Sequence, residues 1–97
     1  MNPRNPTTDV EWDAGKNRLN QRKHNVPFEE AATVFFDPFE ITIDDPEHAF
    51  SERRFISIGA SFRGRLLVVS YTERLNRIRI INARNPTRVE RRVYEEA

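Results

Sequence analysis

The sequence predicts an α+β domain: an antiparallel sheet of about four to five strands with two N-terminal helices on one face and a short C-terminal helix. Three observations lead there. Phe28, Ala31, Ala32, Phe35 and Phe36 recur at helical spacing. The segments 55–60, 66–72 and 77–83 are apolar, rich in β-branched residues and joined by short polar turns. Thr87-Arg88-Val89-Glu90 has the spacing of a capping box, in which threonine and glutamate side chains satisfy helix-end amides reciprocally.

Taken in order, residues 1–9 are polar with two prolines and are expected to form a flexible tail, leaving 10–97 as one domain. Val10-Glu11-Trp12 alternates and is expected as an edge strand. Asp13 can cap a helix running to His24, and Asn25 suits its left-handed end. Pro27 suits the start of a second helix over 28–36, which Pro38 closes. Phe39 to Ile43 alternates as a half-buried strand, and 44–51 reads as a loop. A meander follows: Phe55 to Ala60, a turn over 61–64, Leu66 to Thr72, a turn over 73–76, then Arg77 to Ala83. Leu66-Leu67-Val68-Val69 is apolar on both faces, which predicts a central strand covered on both sides. A helix through Tyr94 ends the chain.

The net charge of +1 hides an asymmetry. Residues 1–50 hold five Lys/Arg against ten Asp/Glu; residues 51–97 hold eleven Arg against five Glu. Guanidinium groups match phosphate oxygens bidentately, so the second half suits a nucleic acid; a charged surface balanced by the acidic half fits equally. Cysteine is absent, which removes disulfides and thiolate metal sites and fits a cytoplasmic location. No run is apolar enough to span a bilayer, and the N-terminus lacks a signal-peptide pattern.

Neither histidine has a partner at ligand spacing, and Asp44-Asp45 in a proline loop reads as a solvated turn, so no metal and no cofactor is expected. No nucleophile elbow or glycine-rich phosphate cradle is present. Cleavage of RNA asks for less: the ribose 2′-hydroxyl is the nucleophile, and the protein must take its proton and stabilise the charge on the phosphorane. Arg54, Arg79 and Arg84 are the candidates for the phosphate, on separate segments that a sheet would bring to one face. His24 suits acid–base work because histidine titrates near neutrality, or it complements a helix C-terminal dipole; Lys23 has the same two readings. Arg77, Arg88, Arg91 and Arg92 are candidate RNA contacts or plain solvated cations, and Tyr94 either stacks on a base or is a half-buried helix residue. His48 sits in a polar loop.

Several ordered segments together resemble the BrnT toxins, within the wider RelE/ParE group. They are Glu11-Trp12-Asp13, Lys16-Asn17, Asn20, the run from Lys23 to Ala31, Asp45-Pro46-Glu47-His48, Glu52-Arg53-Arg54-Phe55 and Gly59. The match continues through Gly64 to Val69, Arg79 to Arg84, Thr87, Glu90 and Tyr94. The resemblance implies a RelE-like fold and a metal-independent endoribonuclease that inhibits translation. Its partner would be a BrnA-like ribbon-helix-helix antitoxin, with RNA as substrate, the ribosome as a further contact and DNA reached only through the antitoxin. It implies Lys23, His24, Arg54, Arg79 and Arg84 as site residues. Two positions depart from the pattern: Asn25 stands where the family usually has glycine, and Asn85 where it often has a basic residue. The alternative is a non-catalytic module that binds nucleic acid or antitoxin on the same fold.

Overall fold

The computed structural model describes residues 9–45 and 52–97. His48 and all of the expected tail except Asp9 lie outside that range. The elements are β1 (Asp9–Glu11), α1 (Ala14–His24), α2 (Phe28–Ala31), a 3-10 helix (Ala32–Phe36), β2 (Ile41–Asp44), β3 (Arg54–Ala60), β4 (Leu66–Arg74), β5 (Arg77–Arg84) and α3 (Arg88–Glu95). The strands form one sheet in the order β1-β5-β4-β3-β2.

The sheet is mixed, which corrects the expectation of a purely antiparallel one. β1 joins β5 in parallel, pairing Asp9 with Arg77, Val10 with Ile78 and Glu11 with Arg79. Tight turns force neighbouring strands antiparallel; β1 reaches β5 through most of the chain, so no turn dictates its direction. The β4–β5 turn is tighter than expected. Leu75 and Asn76 both take positive φ, 46° and 69°, the two-residue geometry whose twist suits a hairpin. Asparagine accepts that conformation readily; Leu75, 97% exposed, is strained in it.

One helix was expected over 28–36, but only its first turn is α-helical. The tighter 3-10 winding that follows rotates the apolar stripe. Val34 is therefore fully buried while Phe36 is 62% exposed, and Phe35 meets Tyr71 edge-on at 5.0 Å. Gly59 permits this close approach to β3, because a Cβ there would stand 2.8 Å from Val34 Cγ1. The Asp37 side chain accepts from the Phe39 N–H at 2.9 Å, and its carbonyl from the Glu40 N–H at 3.1 Å. That turn delays β2 to Ile41.

Val26, Phe28, Ala31 and Val34 pack with Leu67, Val69, Tyr71, Ile78, Ile80 and Ala83 as the main core. The opposite sheet face holds a smaller cluster of Ile58, Leu66 and Val68, against which Tyr94 of α3 packs. Leu66 to Val69 is accordingly buried on both faces, as its continuous apolar run predicts.

α1 has no apolar stripe, and asparagines attach it instead. Asp13 caps it through the Lys16 N–H at 2.9 Å, and Asn25 ends it at φ 58°. Asn17 Oδ1 accepts from the Phe28 N–H at 2.9 Å. Asn20 Nδ2 donates to the carbonyls of Ala83 at 2.8 Å and Val26 at 2.9 Å, and its Oδ1 accepts from the Ala83 N–H at 3.2 Å. β1 stops beside Arg79, so this side chain bonds the β5 edge as a further strand would. Asn20→Ala orphans several buried backbone groups, and a loss of roughly 3 kcal/mol is expected. Urea unfolding checks it: a midpoint unchanged from wild type refutes the role given to Asn20.

Candidate nucleic-acid interface

Backbone register decides which arginines meet. Arg54 pairs with Thr72, Thr72 with Arg79, and Arg79 with Glu11, so these four residues form one cross-strand row over β3, β4, β5 and β1. Of their neighbours, Tyr71 and Ile80 belong to the main core and Phe55 packs against it. By strand alternation the row therefore lies on the opposite sheet face, where Tyr94 of α3 packs beside Ile58, Leu66 and Val68. Strands stand about 4.8 Å apart, so the Arg54 and Arg79 backbones are separated by about 10 Å. Two long guanidinium arms can close that gap onto one phosphate. In the adjoining row Arg74 pairs with Arg77 and Arg77 with Asp9, adding two more guanidinium groups.

Carboxylates hold this array together. Glu11 accepts from Arg77 at 3.1 Å and from Arg79 at 3.0 Å, and Arg77 lies 3.9 Å from Asp9. The Arg77 and then the Arg79 hydrogen bonds hold the Glu11 carboxyl below its ordinary range. Arg74 grips Glu52 through two nitrogens, which lowers that carboxyl too. Arg54 makes no ion pair with another described residue, though its charge acts on Glu52. Mutual repulsion among the four arginines is thus offset without filling their donor capacity, since each guanidinium carries five N–H groups.

Arg84 shares the face, but pairs with Val68, four β4 residues from Thr72 and thus about 13 Å away. Glu90 accepts from its two terminal nitrogens at 2.7 and 2.8 Å and from the Thr87 N–H at 2.8 Å, joining this clamp to the capping box. The Arg84 guanidinium leads in pulling the Glu90 carboxyl down to about 2. Lys23 and His24 stand at the same end: Asn20, one turn earlier, bonds Ala83, and the Asn25 carbonyl accepts from Arg65 just before β4. Register therefore groups Arg54, Arg79 and Arg77 at one end of the face and sets Arg84 at the other; among the described residues Arg84 bonds Glu90 and the Asn85 carbonyl, not Lys23 or His24.

Arg88, Arg91 and Arg92 are exposed on α3. Tyr94 is half-buried and donates to Asp37 Oδ2 at 2.6 Å, docking α3. Burial, then the Asp37 carboxylate, pushes the Tyr94 hydroxyl up to about 12. Reading the sequence missed Glu11, Glu52, Thr72 and Arg74 as parts of the array. Alternation could have put Thr72 on the arginine side of its strand, but only register shows that Arg54 and Arg79 flank it. The charge asymmetry between chain halves is largely cancelled in space, with Glu11, Glu30 and Asp44 of the acidic half pairing with Arg79, Arg65 and Arg53. Among the described residues no group of three His, Cys, Asp or Glu could hold a metal ion, and no helix is long and apolar enough to cross a membrane.

Over residues 12–90 the sequence matches the family described as the ribonuclease toxin, BrnT, of type II toxin-antitoxin systems. Among solved structures, the crystal structure of the Brucella abortus ribonuclease toxin, BrnT, is similar with a TM-score of 0.66 at 16% identity. The likeness covers 84% of this chain and 100% of that one, and speaks to the fold. No curated protein matches the sequence.

Proposed function

The chain belongs to the family of BrnT ribonuclease toxins of type II toxin-antitoxin systems, and from that premise we propose that its arginine-lined sheet face is where RNA is bound and cut. The observation that supports this reading most is the cross-strand row in which Arg54 and Arg79 flank Thr72 on the sheet face opposite the main core. The 2′-hydroxyl gives up its proton to a base and its oxygen bonds the adjacent phosphorus, while the P–O5′ bond breaks and the 5′-oxygen leaves with a proton returned from that base or taken from water. Charge gathers on the phosphorane oxygens, where guanidinium donors fixed by the sheet meet it at little reorganisation cost. At this end the proton acceptors on offer are the carboxylates of Glu11 and Glu52. A phosphate that draws away their arginine partners raises their proton affinity as RNA binds. Arg84 with Lys23 and His24 grips a neighbouring part of the same strand; His24 or Lys23 would move the proton for a phosphate held there. Arg77, Arg88 and Arg91 add backbone contacts.

In the same proposal the fold is RelE-like and the activity inhibits translation in the cytoplasm, with the ribosome as a further contact. A BrnA-like ribbon-helix-helix antitoxin neutralises the chain and brings it to DNA only indirectly. Purified protein mixed with RNA in EDTA is expected to yield fragments ending in cyclic 2′,3′-phosphate, and a 2′-deoxy nucleotide at the cut position should block cleavage. Retention of RNA with no product would establish the non-catalytic alternative, and loss of cutting on chelation would overturn metal independence.

A further inference from the structure

We propose that the Thr72 hydroxyl is a third donor to the phosphate gripped by Arg54 and Arg79, making a phosphate-binding residue of a threonine that otherwise reads as sheet packing. The idea rests on the ribonuclease reading only for the identity of the ligand. Thr72 is 3% exposed, and among the described residues its Oγ1 is a buried side-chain oxygen with no hydrogen-bond partner. The other buried side-chain hydroxyls among the described residues are satisfied. Ser61 Oγ donates to Glu30 at 2.6 Å, and Ser57 Oγ stands 3.2 Å from Thr42 Oγ1. An orphaned hydroxyl costs stability that valine, matched in shape and at home in a central strand, would not.

Its position gives that cost a use. Thr72 occupies the middle of the row, with Arg79 beside it on β5 and Arg54 on β3. Guanidinium groups only donate, so neither can accept a hydrogen bond from the threonine hydroxyl, which is left to donate one to an incoming oxygen. A phosphodiester supplies acceptors alone. Two arginine forks and one hydroxyl thus present donors from three adjacent strands to a single tetrahedral anion. Because Thr72 is 3% exposed, a phosphate reaches its hydroxyl only when neighbouring side chains on this face move aside. Thr72 positions the phosphate and transfers no proton.

The test compares Thr72→Val and Thr72→Ser with wild type in three measurements: melting without ligand, the rise in melting temperature on adding inorganic phosphate, and RNA cleavage. The valine variant is expected to melt no lower than wild type, to lose most of the phosphate-dependent rise, and to cut RNA about tenfold more slowly or worse. Serine, which restores the hydroxyl, should recover both phosphate responses. A valine variant that melts lower than wild type makes the hydroxyl structural and overturns the proposal. Undiminished phosphate protection and cleavage overturn it while leaving the ribonuclease reading intact. Phosphate protection that depends on Thr72 in a chain that cuts no RNA keeps the anion site and rejects the nuclease.

Discussion

Replacing Arg79 by alanine is expected to lower RNA cleavage by about 10²- to 10³-fold, the usual cost of removing one donor from a developing oxyanion. Arg54→Ala should do the same, and the double variant should fall to background. Folding should survive. The Arg79 side chain is 36% exposed and its bond to Glu11 lies at the sheet surface, where solvent screening leaves such pairs little weight in stability. Arg79→Lys should recover little, since an ammonium cannot reproduce the planar fork. Arg53→Ala is the control, because Arg53 pairs with Asp44 and stacks over Phe55, a residue of the other face. A filter-binding titration adds a second readout: each lost phosphate contact should reduce the slope of log affinity against log salt by about 1. Single variants that cut RNA at the wild-type rate would overturn the assignment of the site.

The largest stability effect is expected at Arg65. Glu30 is 1% exposed, and Arg65 Nε and Nη2 donate to its two carboxylate oxygens at 2.7 and 2.6 Å. Arg65→Ala leaves that buried charge with the Ser61 hydroxyl and the charge of Arg63 alone, a loss of about 3–5 kcal/mol. In the native chain the Arg65 hydrogen bond outweighs burial and holds the Glu30 carboxyl below its ordinary value. Its stabilisation is therefore present above the unfolded-state pKa of about 4.3 and lost as pH falls through the lower folded value. Without Arg65, burial dominates and the sign reverses: the contribution is present in acid and lost as pH rises. The difference in unfolding free energy between the two proteins should shrink as pH is lowered from neutrality to about 4. A difference that stays constant would show that Glu30 and Arg65 are not coupled.

Local patterns carried much of this architecture. The Asp13 cap, the left-handed end at Asn25, the capping box at Thr87 and Glu90, and the doubly covered run from Leu66 to Val69 each depend on residues close in sequence, where dihedral preference and side-chain reach suffice. The 3-10 winding over Ala32–Phe36 was hidden from periodicity because it depends on Gly59 letting that segment approach β3. The direction of β1 was hidden because its partner lies at the other end of the chain. Composition singled out arginine as the chemical residue of the second half, and alternation put Arg77 and Arg79 on one side of a strand. Which arginines converge is a matter of register across three strands. A shift of one residue in β4 would carry Thr72 to the core face and remove the link between Arg54 and Arg79. Long-range pairing, set by burial of Tyr71, Ile78 and Ile80 on the far face, made that choice.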